Sequence, residues 1–158
     1  MQAMTRRGFL ASSVALAALH PAFAAVPDTL PALRVSKDPN CGCCSGWVDH
    51  VRASGFSVEV VELADLAPLK ARLKIPNRLA SCHTSEVAGY AIEGHVPASA
   101  IKRLLAERPK AIGLAVPGMP VGSPGMEVAG RPNDAYEVMI FGAFGQRAFG
   151  RYSGAKEA

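Results

Sequence analysis

Hydrophobic positions along the chain switch between two periods. Leu33 and Val35 mark a short run, 33–36, that reads as a buried strand. Asp38-Pro39-Asn40 follows as a turn signal. From 44 to 53 the residues Trp47, Val48 and Val51 recur at helical spacing, and Gly55 suits the C-cap. The segment 56–63, with Val58, Val60 and Val61, returns to strand character. Leu66, Leu69 and Leu73 predict a second helix with Asp65 as its N-cap, ended by Pro76 and Asn77. The stretch 81–84 stays open between loop and strand start. A strand over 87–92 and a turn at Gly94 come next. A helix then runs to about residue 108, with Pro97 in its first turn, where a missing N–H is not needed. Its apolar face is Ile101, Leu104 and Leu105.

After Pro109 the pattern changes. Residues 112–116 are short and apolar, 117–126 are dense in Gly and Pro, 136–141 read as a strand and 146–152 as its partner. Strands alternating with helices predict an α/β layer structure. We expect one domain over 32–109 and an extension over 110–154 packed on it.

The first 24 residues are expected to lie outside that fold. Thr5-Arg6-Arg7-Gly8-Phe9-Leu10 matches the twin-arginine pattern, an apolar run extends to Leu19, and Ala22-Phe23-Ala24 is an A-x-A cleavage site. The run is shorter than the roughly 20 apolar residues a membrane span needs. An ordinary secretory signal carrying two arginines is the alternative, and either route predicts export, to a periplasm. The formal net charge of +4 loses Arg6 and Arg7 with the leader. What remains is no electrostatic footprint for nucleic acid, and no basic stripe is present. A soluble monomer without membrane insertion is expected.

Chemistry concentrates in Cys41-Gly42-Cys43-Cys44, which holds three of the four cysteines. An exported chain could use four cysteines as two disulfides. This cluster is poorly placed for that, because the stabilisation from a cross-link grows with the loop it closes. Its place between a predicted strand and a predicted helix matches the thioredoxin arrangement. A helix N-terminus favours thiolate, the form that attacks disulfides and binds metals. Cys82 adds a fourth sulfur and His83 an imidazole. Met119 and Met126 flank a proline-stiffened loop, as candidate thioether ligands or as packing residues, and soft sulfur selects Cu(I). Trp47 is expected to pack beneath the site, Met139 in the core, His50 at the surface, and His95 in a capping role.

Four stretches together resemble the CopG-like family of exported copper-resistance proteins. They are Cys41-Gly42-Cys43-Cys44, Ser81-Cys82-His83-Thr84, Gly94-His95-Val96-Pro97-Ala98, and Gly118-Met119-Pro120 through Gly122-Ser123-Pro124-Gly125-Met126-Glu127. The resemblance implies a thioredoxin-like domain with a C-terminal extension that helps bind metal. It implies copper held by bridging sulfurs of Cys41, Cys43, Cys44 and Cys82, with His83, Met119 and Met126 at further motif positions. It also implies Cu(I)/Cu(II) interconversion serving detoxification, with copper-efflux components as partners. Three other readings stand beside it: a metal-free thiol–disulfide oxidoreductase, for which Cys43 is surplus, a Cys₄ zinc domain, and a copper carrier with no redox step.

Overall fold

The computed structural model describes residues 29–158. The expected leader, 1–24, lies outside the described residues. The elements are β1 (Leu33–Lys37), α1 (Gly42–Ala53), β2 (Val58–Glu62), α2 (Ala67–Arg72), a 3₁₀ turn (Asn77–Leu79), β3 (His83–Val87), β4 (Tyr90–Glu93), α3 (Ala98–Glu107), β5 (Gly113–Ala115), β6 (Ala135–Gly142), β7 (Gly145–Ser153) and β8 (Lys156–Glu157). All eight strands form one sheet in the order β2-β1-β3-β4-β5-β6-β7-β8. β1 and β2 are parallel, β1–β3 and β3–β4 antiparallel, and β4–β5 parallel.

Strand alternation sorts side chains onto two faces. Leu33 and Val35 of β1, Ile92 of β4, Leu114 of β5 and Val138 and Ile140 of β6 face the main core with Trp47, Val48 and Val51 of α1 and Ile101 and Leu104 of α3. The intervening residues Ala91, Ala115 and Phe141 join Ile75 and Leu79 in a smaller core on the other face. β5 is buried at all three positions and sits between β4 and β6. Residues 113–157 therefore continue the same sheet. Gly113 is required there, because a Cβ would lie 1.8 Å from the Ala91 carbonyl oxygen. Among the described residues no helix is long and apolar enough to cross a membrane.

Several sequence expectations shift. The strand expected over 87–92 is the tip of a hairpin, with β3 ending at Val87 and β4 starting at Tyr90. Ala88 and Gly89 both have positive φ, which reverses the chain in two residues. The helix expected from residue 44 starts at Gly42, so Cys43 and Cys44 lie in its first turn and Cys41 at its N-cap. Pro97 lies just before α3. Asp65 is not the N-cap of α2, which is Leu66; it stands one residue earlier and accepts from the Ala67 N–H at 2.8 Å.

Candidate metal centre

Sheet register assembles the site. Lys37, the last residue of β1, pairs with His83, the first of β3. The chain leaving β1 toward Cys41 therefore lies beside the chain entering β3 through Cys82. The approach to α1 is tightened by an Asx turn, in which the Asn40 N–H donates to Asp38 Oδ1 at 2.7 Å. Across the hairpin Thr84 pairs with Glu93, and the Gly94 N–H donates to the His83 carbonyl at 3.0 Å. Continuing that register sets Cys82 opposite His95.

The Sγ atoms of Cys41, Cys43, Cys44 and Cys82 lie within 4.8 Å of one another. Cys41 and Cys44 are joined as a disulfide, while Cys43 and Cys82 are free. Cys41 and Cys43 sulfurs are 3.5 Å apart. Burial pushes the Cys82 thiol up to about 11, and nearby Cys43 adds to the rise. Cys82, His83 and His95 form a second group of donor atoms within 4.8 Å.

Both histidines are fully buried. His95 Nε2 is 3.1 Å from Cys82 Sγ, and its Nδ1 is 2.8 Å from the Pro124 carbonyl. His83 Nδ1 is 3.3 Å from Cys82 Sγ. Its ring lies 4.5 Å from that of Trp47, centroid to centroid. Burial holds His83 well below its ordinary range, with His95 and Lys70 pushing the same way. Burial also lowers His95, against the Pro124 carbonyl and Glu127. Both rings are therefore neutral at neutral pH, the form that offers a nitrogen lone pair.

Trp47 packs under the site as expected, its Nε1–H donating to the Val96 carbonyl at 2.9 Å. Two other histidines depart from their expected roles. His95 lies in the site and does not cap a helix. His50 is half-buried, and its Nε2 accepts from the Ala98 N–H at 3.1 Å, so it caps α3. The signal for His95 was available in the hairpin register, which a single strand over 87–92 conceals.

The Gly/Pro loop lies against α1. Gly125 has φ +86°, and a Cβ there would lie 2.5 Å from the Cys43 carbonyl oxygen and 2.6 Å from the Trp47 nitrogen. Ser81 Oγ donates to the Gly118 carbonyl at 2.8 Å. Met126 is half-buried beside Gly125, and Met119 is exposed.

A buried polar knot fixes the approach to Cys82. Lys70 Nζ donates to Glu93 Oε1, to Thr84 Oγ1 at 2.9 Å and to the Ser81 carbonyl at 3.1 Å. Glu93 also accepts from the Ser81 N–H at 2.6 Å and from Thr84 Oγ1 at 2.7 Å. Both backbone groups of Ser81 are thus held one residue before the cysteine.

A mixed α/β protein with a cysteine cluster at one end of its sheet, able to bind a soft metal ion, is the class these features define. Two solved structures titled as copper resistance protein CopG, forms 1 and 2, are each 45% identical to this chain with a TM-score of 0.73. The first match covers 79% of this chain and 99% of the other, and the second 78% and 98%. A family model described as a protein of unknown function, DUF411, matches residues 79–126, the stretch holding Cys82, His83, His95 and the Gly/Pro loop. No curated protein sequence matches. The chain belongs to the CopG family of copper resistance proteins.

Proposed function

We propose that this protein is a periplasmic, redox-active copper-binding protein that serves copper resistance through a cysteine-bridged site. The observation that carries this reading is the convergence of four sulfur atoms from two separate segments within 4.8 Å. Thiolates select Cu(I), and four of them in so small a volume can each bridge two ions. The CopG titles support copper as the metal. Closing the Cys41–Cys44 disulfide from two thiols releases two electrons and two protons, which balances reduction of two Cu(II) to two Cu(I). The disulfide is the observation that supports redox activity.

The order β2-β1-β3-β4, with β1 parallel to β2 and β3 antiparallel to both its neighbours, supports a thioredoxin-like reading of 32–109. The extension, 110–154, then supplies the Gly/Pro loop. Contact of Gly125 with α1 supports thioether donation from Met119 or Met126. The export pattern in 1–24 supports the periplasm, and copper-efflux components are the exchange partners we propose for a monomeric protein.

The test is anaerobic reduction, titration with Cu(I), and elemental analysis with a count of alkylatable thiols. More than one Cu(I) per chain with all four thiols protected is the expected result. Stoichiometric displacement of copper by Zn(II) would overturn it in favour of a structural zinc site.

A metal-free thiol–disulfide oxidoreductase is the second reading, favoured by a disulfide at the N-terminus of α1. Cys43→Ser separates the two. Loss of copper loading and of copper tolerance supports the copper reading. Normal copper tolerance with intact disulfide-reductase activity supports the other.

A further inference from the structure

We propose that the end of the sheet remote from the cysteines carries a second binding site, for a small organic anion with an apolar body. Leu33 pairs with Val87 and Lys37 with His83. The start of β1 and the β3–β4 turn therefore lie together at one end, and Cys41 and Cys82 at the other. The five residues of β1, about 15 Å of strand, separate them. The segment before β1, the turn and the last turns of α3 enclose a cavity of about 760 Å³. Small-molecule sites span roughly 300–1,000 Å³. Nothing in this inference depends on the metal at the far end.

Leu30, Tyr90 and Leu105 form an apolar floor. Each is half-buried, packed on the main core from one side and lining the cavity from the other. The Tyr90 hydroxyl donates to the Pro109 carbonyl at 2.9 Å, so its polar end is spent and its ring remains as apolar surface. The rim is low. Ala88 and Ala106 carry only methyl groups, and a Cβ on Gly89 would meet nothing within 4 Å. The chain reversal sets φ at +46° for Ala88 and +85° for Gly89, which disfavours bulky residues there.

Lys102 and Arg108 stand exposed on the rim, and no lining residue is acidic. The neighbouring carboxylates are engaged elsewhere, Glu107 with Arg103 at 3.3 Å and Glu86 with Arg72 at 2.9 Å. Arg108 sits at the C-cap of α3, where a basic side chain complements the negative end of its own helix. That effect fades within the last turn and does not account for Lys102, six positions earlier. Long basic side chains lay their stems along apolar surface and keep the charge at its edge. Two such charges over an apolar floor fit a carboxylate or sulfonate whose body covers Leu30, Tyr90 and Leu105. An inorganic anion would leave the floor wet, and a cationic amphiphile would be repelled.

The test uses 8-anilinonaphthalene-1-sulfonate, an aromatic sulfonate that fluoresces in apolar sites. Titrated into the folded protein, it is expected to saturate at one equivalent and to be displaced by decanoate. Lys102→Glu combined with Arg108→Asn, which tolerates the left-handed backbone there, should weaken the probe by about tenfold or more through loss of two charge-assisted contacts. Ala106→Phe, at an exposed position, should fill the cavity and weaken it to a similar degree. Thermal melts run in parallel should show both variants folded, and a lowered Tm in one leaves the other to decide. Unchanged affinity in a folded variant, or absence of saturable binding, would overturn the site. Displacement by dodecyltrimethylammonium as effective as by decanoate would overturn it too, because the charges would then select nothing. Capture of the protein by phosphatidylglycerol vesicles, lost in the same variants and insensitive to decanoate, would replace the small molecule with a membrane surface.

Discussion

At the scale of single residues, the histidines show how neutral imidazole is put to two uses. His50 acts as a helix cap from a distance, accepting the first N–H of α3 from a neighbouring helix. That N–H has no partner within its own helix. His50→Ala should destabilise the fold by about 1 kcal/mol, in the range of lost N-caps, with Cu(I) stoichiometry unchanged. Denaturant unfolding with parallel copper titration checks both. Burial lowers the His50 pKa below its ordinary 6.5, with Glu127 opposing. The neutral ring is the one that accepts. Its contribution is therefore complete above about pH 6.5 and fades as the pH falls through the lowered folded-state value. The gap between wild type and His50→Ala should narrow over that window. A gap independent of pH would mean that the cap is not the source of the loss.

At the scale of elements, the short connections carry the site. Gly125 and Gly46 let two backbones touch, with a Cβ on Gly46 only 3.0 Å from the Gly125 Cα. Gly125→Ala meets both positive φ and overlap with α1, so a loss of roughly 1–3 kcal/mol is expected. Limited proteolysis should then cut within 117–126, which the wild type resists. The Lys70–Glu93 pair ties α2 to β4 and clamps Ser81 between them. Lys70→Met strands a fully buried carboxyl, and breaking a buried pair this way costs about 3–5 kcal/mol. Thermal melts should show the drop, and alkylation of Cys82 should quicken as its approach loosens. An unchanged alkylation rate would show that Glu93 and Thr84 hold Ser81 unaided.

Much of this level was legible in the residues. Val35, Trp47, Val51, Ile101 and Leu104 marked their elements through period alone, and Cys41-Gly42-Cys43-Cys44 announced a thiol site at a strand-to-helix turn. The hairpin was not legible, because Val87 and the apolar residues of 90–92 read as one continuous run. The two-residue reversal at Ala88-Gly89 leaves no break in hydrophobicity. Missing that turn hid the step that sets His95 beside Cys82. Lys70 and Glu93 look like surface charges in sequence, and only the packing of α2 against the sheet makes them partners.

For the whole molecule, one continuous sheet joins both stretches of chain. β5 lends β4 its parallel neighbour, and Leu114 and Val116 enter the same core as Trp47 and Ile92. A chain ended after Pro109 would leave β4 as an open apolar edge and remove the loop that rests on α1. Such a fragment should be recovered in the insoluble fraction or show no cooperative melt. A stable, Cu(I)-binding 29–109 fragment would establish the extension as dispensable.

The sulfur atoms come from segments that are distant along the chain and meet only through the pairing of β1 with β3. An unfolded chain offers Cys41, Cys43 and Cys44 together but leaves Cys82 adrift. Any ion that needs all four therefore binds the native state alone, and mass action converts its affinity into protection of the fold. At a hundredfold excess over the dissociation constant that protection is roughly 2.7 kcal/mol. Occupancy and fold stability would then be two readings of one equilibrium: whatever weakens the closed sheet weakens the hold on the ion by the same free energy.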